Sequence, residues 1–87
     1  MRVTVISPEA AVFDGEADSV VAPAFDGSMG ILANHAPLMT VLGTGVLRVM
    51  SAGVTRTFQV RGGFMQVVKN SVRVLAENIV ADTGGAK

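Results

Sequence analysis

Cysteine is absent from these 87 residues, and with it go disulfide staples, thiolate nucleophiles and sulfur-ligated metals. Tryptophan and tyrosine are absent as well. Four Phe are the only aromatic residues, too few for the stacking platform of an oligonucleotide-binding barrel. The single histidine, His35, leaves a zinc site short of its about four N, S or O ligands. Excess positive charge is also missing, since seven Lys plus Arg balance seven Asp plus Glu. Phosphate neutralisation needs a positive excess or a continuous basic patch, so nucleic acid is not the expected partner. No apolar stretch approaches the ~18–20 residues of a spanning helix. No apolar signal region follows the start, because Val3, Thr4, Val5 and Ile6 stop at Ser7-Pro8. The expectation is one soluble domain on the cytoplasmic side, without membrane insertion.

Apolar side chains are plentiful. They make up 49% of the chain, mean hydropathy is +0.50, and charged residues are only 16% against the usual ~25%. A chain this short buries about 60–65% of its unfolded surface, so more apolar area exists than its core can hide. The surplus either meets a partner or is the ordinary apolar surface of a compact domain.

The spacing of those side chains sets the class. In Val54-Thr55-Arg56-Thr57-Phe58-Gln59-Val60, Val54, Phe58 and Val60 share one face with Arg56, and Thr55, Thr57 and Gln59 share the other. Period two is a half-buried strand. Ser71-Val72-Arg73-Val74-Leu75 alternates in the same way, and Lys69-Asn70-Ser71 before it reads as a hairpin connection. Turn signals recur throughout, among them Ser7-Pro8-Glu9, Asp14-Gly15, Asp26-Gly27, Gly43-Thr44-Gly45, Ser51-Ala52-Gly53 and Gly62-Gly63. Many short strands at this spacing predict an all-β chain, a two-sheet antiparallel β-sandwich or small barrel. Nine strands are expected: Val3–Ser7, Ala11–Phe13, Ala17–Pro23, Gly30–Leu32, Leu38–Leu42, Val46–Met50, Val54–Val60, Phe64–Val68 and Ser71–Ala76. Gly62-Gly63 marks a bulge or sharp bend. Alternation is lost from Asn78 onward, so the domain is expected to span residues 1–77, with a flexible tail over 78–87.

Charge is unevenly spread. Residues 1–27 carry Glu9, Asp14, Glu16, Asp18 and Asp26 against Arg2 alone, whereas residues 28–75 carry Arg48, Arg56, Arg61, Lys69 and Arg73 with no acid. The two sets either pair across the folded sheets or polarise the surface and orient the domain between neighbours.

No constellation points to catalysis. His35 has Asp26 and Ser28 near it in sequence, but a triad needs a nucleophile on a rigid turn and an oxyanion hole. No G-x-S-x-G elbow occurs. A lone His close to Pro37 is more often a loop-fixing hydrogen-bonder or a contact residue. Gly43-Thr44-Gly45 lacks the Lys-Ser/Thr of a phosphate loop. Gly27-Ser28-Met29-Gly30 has the spacing of an RNA-clamping loop, but it follows Asp26 among strand signals.

Several segments in register resemble a known family. Ile6-Ser7-Pro8-Glu9, Phe13-Asp14-Gly15-Glu16-Ala17 and Val20-Val21-Ala22-Pro23 are similar to the opening of the epsilon subunit of F-type ATP synthases. Asp26-Gly27-Ser28-Met29-Gly30-Ile31-Leu32-Ala33-Asn34-His35-Ala36-Pro37-Leu38 resembles that family's E-G-x-x-G-x-x-x-x-H-A-P-L. Gly62-Gly63-Phe64-Met65-Gln66-Val67, followed by Val72-Arg73-Val74-Leu75-Ala76, completes a collinear match over roughly residues 3–77.

The resemblance implies a non-catalytic rotor part that couples proton translocation to ATP synthesis. It binds no cofactor, docks on the gamma shaft and rests against the membrane ring. It also implies a peripheral place on the cytoplasmic side of the inner (cell) membrane. Carried over by position, the ring contact falls on Gly27, Ser28 and Met29, and the gamma contact on Ser7, His35 and Pro37. Ser28 stands where many members carry an acid, and Ala33-Asn34 where many carry Pro-Gly. The family's C-terminal helical hairpin has no counterpart here, so either a short form or a truncation is expected. Two other readings stay open: a free-standing β-sandwich module for a peptide or sugar, and a small enzyme using His35.

Overall fold

Strand-forming Val and Thr in alternation dominate the backbone. The computed structural model describes residues 1–24, 27–32 and 37–82. Its elements are β1 (Arg2–Ile6), β2 (Ala11–Glu16), β3 (Ser19–Ala24), β4 (Gly27–Leu32), β5 (Leu38–Val41), β6 (Thr44–Ser51), β7 (Val54–Val68) and β8 (Ser71–Asp82). They form one hydrogen-bonded sheet in the order β2-β1-β8-β7-β6-β3-β4, and β5 adds to β7 off that path. Two tight hairpins set registers: Ala52-Gly53 joins β6 to β7, and Lys69-Asn70 joins β7 to β8. All four of these residues have positive φ, as two-residue type I′ connections require.

The expected sandwich is this one sheet folded over itself. The first half of β7 pairs with β6, whose other neighbour is β3. Its second half pairs with β5, and β8 runs beside both halves. The fold line is visible in the burial pattern. On β7 the inward residues are Phe58 and Val60 before the glycines, but Met65 and Val67 after them. On β8, Val72, Val74 and Ala76 are buried, and then Ile79 packs on the core. Both strands therefore change inward parity at 62–63 and 77–78 while their pairing register stays unbroken from Thr57↔Asp82 to Val68↔Ser71. A strand that passes from one layer to the other must bend this way.

This corner corrects two expectations and decides a third. Val54–Val60 and Phe64–Val68 are halves of one strand, so the described residues form eight strands. Of the two alternatives expected at Gly62-Gly63, the structure has the sharp bend, because no register shift accompanies it. β8 runs on through Asp82, past the expected strand end at Ala76. Residues 83–87 lie outside the described residues. One further departure concerns direction, since β1 and β8 pair in parallel. Parallel neighbours need a long connection, and almost the whole chain lies between these two.

Backbone bonds stitch the layers at both ends. Leu42 N donates to Gly63 O at 2.9 Å and Gly43 N to Pro23 O at 2.7 Å. At the opposite end Ala17 N donates to Met1 O and Asp18 N to Met50 O, each at 2.8 Å. Between them Val3, Val5, Val20, Ile31, Leu47, Val49, Met65, Val67, Val72 and Val74 are fully buried. Each such side chain contributes about 1.5–3 kcal/mol by leaving water. Among the described residues no polar or charged side chain is buried.

Candidate docking surface

The layer made of β5, β7, β8, β1 and β2 has a two-part outer face. Val41 pairs with Phe64, Phe64 with Leu75, and Leu75 with Ile6. Because their inward neighbours are Met65, Val74 and Val5, these four side chains share the outer face. They form an apolar row across four strands. Val41 is 60% and Phe64 43% exposed, while Leu75 and Ile6 are half-buried. One step along the strands the row becomes Met39, Gln66, Arg73, Thr4 and Asp14, which is mostly polar. The apolar row borders a cleft of about 550 Å³ lined also by Pro8, Gly62 and Glu77.

Ser7 lines the same cleft, at the end of β1. Its Oγ accepts from Glu9 N at 3.3 Å and Ala10 N at 3.2 Å, and donates to Ala10 O at 3.0 Å. A hydroxyl has one proton and two lone pairs, so Ser7 is fully occupied in shaping the Ser7–Ala10 turn. It offers a partner its position and shape, with no hydrogen bond left to give. Pro37 is exposed and leads into β5 at the Val67 end, opposite to the Val41 end. Ser7 and Pro37 therefore lie at opposite ends of one layer. His35 lies outside the described residues.

Gly27, Ser28 and Met29 open β4 and pair with Ala24, Pro23 and Ala22. Gly27 and Ser28 are exposed, and Gly27 has φ +134, a backbone suited to glycine. Met29 is different. It is half-buried and packs against the core cluster, on the inward side shared with Ala22. Of the three residues expected at a ring contact, Gly27 and Ser28 face solvent and Met29 braces them from within.

Among the described residues the uneven charge does not resolve into pairs across the sheets. Arg2 bonds Asp14 within the acidic N-terminal set, Nε to Oδ1 at 2.9 Å and a terminal nitrogen to the same oxygen at 2.8 Å. Asp18 Oδ2 accepts from Ala52 N at 2.9 Å. Arg56 lies 5.7 Å above the Phe13 ring, which meets Phe58 edge-on. Among the described residues Arg48, Arg56, Arg61, Lys69 and Arg73 form no ion pair with an acid. No three of His, Cys, Asp and Glu come together there as a metal site would need.

Phe64, Val41 and Glu77 were not singled out by their sequence. The signal was available for Phe64: once Met65 and Val67 are inward, alternation puts Phe64 and Val68 outward. Glu77 sits at the corner of β8, where alternation breaks, and carried no such signal.

Residues 1–82 match the family model for the β-sandwich domain of the ATP synthase delta/epsilon chain. The ATP synthase epsilon chain of Leptospira interrogans serovar Lai is 40% identical over 78 residues, covering 90% of this chain and 61% of that one. The epsilon chain of Caulobacter vibrioides is 40% identical over 80 residues, covering 92% of this chain and 93% of its own length. The chain thus spans about three-fifths of the Leptospira relative and nearly all of the Caulobacter one. Among solved structures, a chain in the Euglena gracilis mitochondrial ATP synthase (OSCP/F1/c-ring) has a TM-score of 0.85 at 23% identity. That alignment covers 91% of this chain and 51% of the other. At that identity the likeness is one of fold.

Proposed function

The chain belongs to the delta/epsilon β-sandwich family of ATP synthase, and on that premise we propose that it is a non-catalytic rotor subunit. It docks on the gamma shaft and rests on the membrane ring, so that proton-driven rotation of the ring reaches the catalytic head. The observation that carries this reading is the uncovered apolar row Val41, Phe64, Leu75 and Ile6 on a chain of this family. A permanent contact of standard size buries about 800 Å² per partner around an apolar centre, and this row supplies such a centre. Ser7 and Pro37 then bound the shaft-facing surface at its two ends, with His35 close to Pro37 in sequence. Gly27 and Ser28 meet the ring, and Met29 holds them against the core. Ser28 brings a neutral hydroxyl where an acid would bring charge, so the ring contact relies on hydrogen bonding and fit.

The fold suits a coupling part. β7 and β8 cross both layers in unbroken register, and close-packed apolar interiors yield little under load. Torque applied at one face reaches the other through continuous strands. No reagent needs to bind and no group needs to titrate. Attachment to the cytoplasmic side of the membrane comes through the complex. A free-standing peptide- or sugar-binding module finds no support in these relatives.

Gel filtration of the protein mixed with purified gamma subunit tests the docking. A single peak holding both chains is expected, and persistent separate elution would overturn it.

A further inference from the structure

Among the described residues that line the apolar cleft, one is charged, Glu77. Its carboxylate folds back over Gly62: a Cβ built on that glycine would lie 2.8 Å from Glu77 Oε1. The missing side chain at Gly62 is thus what gives the carboxylate its place at the rim. Glu77 is exposed and makes no hydrogen bond or ion pair among the described residues. Arg61, one residue before Gly62, stands opposite Asn78 in the strand ladder and forms no ion pair with Glu77. The result is an uncompensated negative charge beside the exposed ring of Phe64 and the half-buried Leu75 and Ile6.

We propose that this cleft is a two-part receptor for the gamma shaft. It seats one aliphatic or aromatic side chain on Phe64, Leu75 and Ile6, and it pairs Glu77 with a lysine or arginine beside that side chain. This rests on the docking reading above and adds to it the chemistry of the docking segment. The apolar seat supplies affinity. Glu77 supplies selection, because a segment with an acid at that point meets like charge at the edge of an apolar site, where screening is weaker than in bulk water.

The test is a titration of the purified gamma subunit with the wild-type protein, Glu77→Gln and Glu77→Lys, each at low and high salt. Glutamine keeps the shape and removes the charge. It should weaken binding about tenfold at low salt and flatten the salt dependence, and lysine should weaken binding about a hundredfold. Glu77 is exposed and unpaired, so both variants should keep the wild-type melting temperature, checked by circular dichroism. If wild-type protein binds gamma and both variants match it at both salts, the role of Glu77 is wrong and the docking reading stands. If wild-type protein does not bind gamma at all, both fall together.

Discussion

Gly63→Ala is expected to remove a large share of the protein's stability and to lower its melting temperature by tens of degrees. A Cβ at Gly63 would overlap the Leu75 carbonyl oxygen and lie 2.7 Å from the Ala76 Cα, and the residue has φ +110. The obstacle is backbone on the paired strand, held by the ladder that runs through the corner, so no side chain can step aside. Relief requires prising β7 from β8 where both change layers. The cost is on the order of 4 kcal/mol or more, against a total stability of on the order of 5–10 kcal/mol for so small a domain. Gly53→Ala is the control. It also has positive φ, at +81, but nothing lies within 4 Å of its added Cβ. Only the left-handed backbone penalty applies there, about 1–2 kcal/mol. Thermal unfolding followed by circular dichroism should separate the two clearly, at about 4–8 °C per kcal/mol. Equal losses at both positions would mean that the corner is not close-packed.

Phe64→Asp should behave in the opposite manner, sparing the fold and abolishing docking. Phe64 lies on the outer face, 43% exposed, so its replacement opens no core cavity and costs stability little. Truncating a central aromatic anchor commonly costs 2–4 kcal/mol of binding. Here aspartate also places a second acid beside Glu77. Binding to gamma should fall by on the order of a hundredfold or more, with the melting temperature within a few degrees of wild type. Wild-type affinity in this variant would remove the apolar row from the interface.

These two neighbours show how much could be read before folding. Alternation at Val54–Val60 and Ser71–Leu75 gave their strands and inward faces directly, because period two is a local property of the chain. The same logic failed at Gly62-Gly63 and at Glu77-Asn78. There the pattern breaks because the strand changes layer, and a break of phase looks in sequence like an end. That is why β7 reads as two strands and β8 reads as stopping at Ala76. The parallel pairing of β1 with β8 joins the two ends of the chain and leaves no local trace. Met29 shows a different limit. Apolar residues that pack inward and those that face a partner look alike until their pairing is known, and its register opposite Ala22 turns it toward the core. Ser7 was identified by resemblance, and only its three hydrogen bonds reveal that its hydroxyl is already committed to its own turn.

In the proposed function, the β5-β7-β8-β1 face is the surface clamped against the shaft. Hydroxyl-radical footprinting of the protein alone and in complex with gamma tests it at individual side chains. Met39, Val41 and Phe64 are exposed on that face, and Leu32 and Val80, each 66% exposed, report on the other layer. Protection of Met39, Val41 and Phe64 on complex formation, with Leu32 and Val80 unchanged, is the expected outcome. Protection of Leu32 and Val80 with Phe64 still reactive would contradict it.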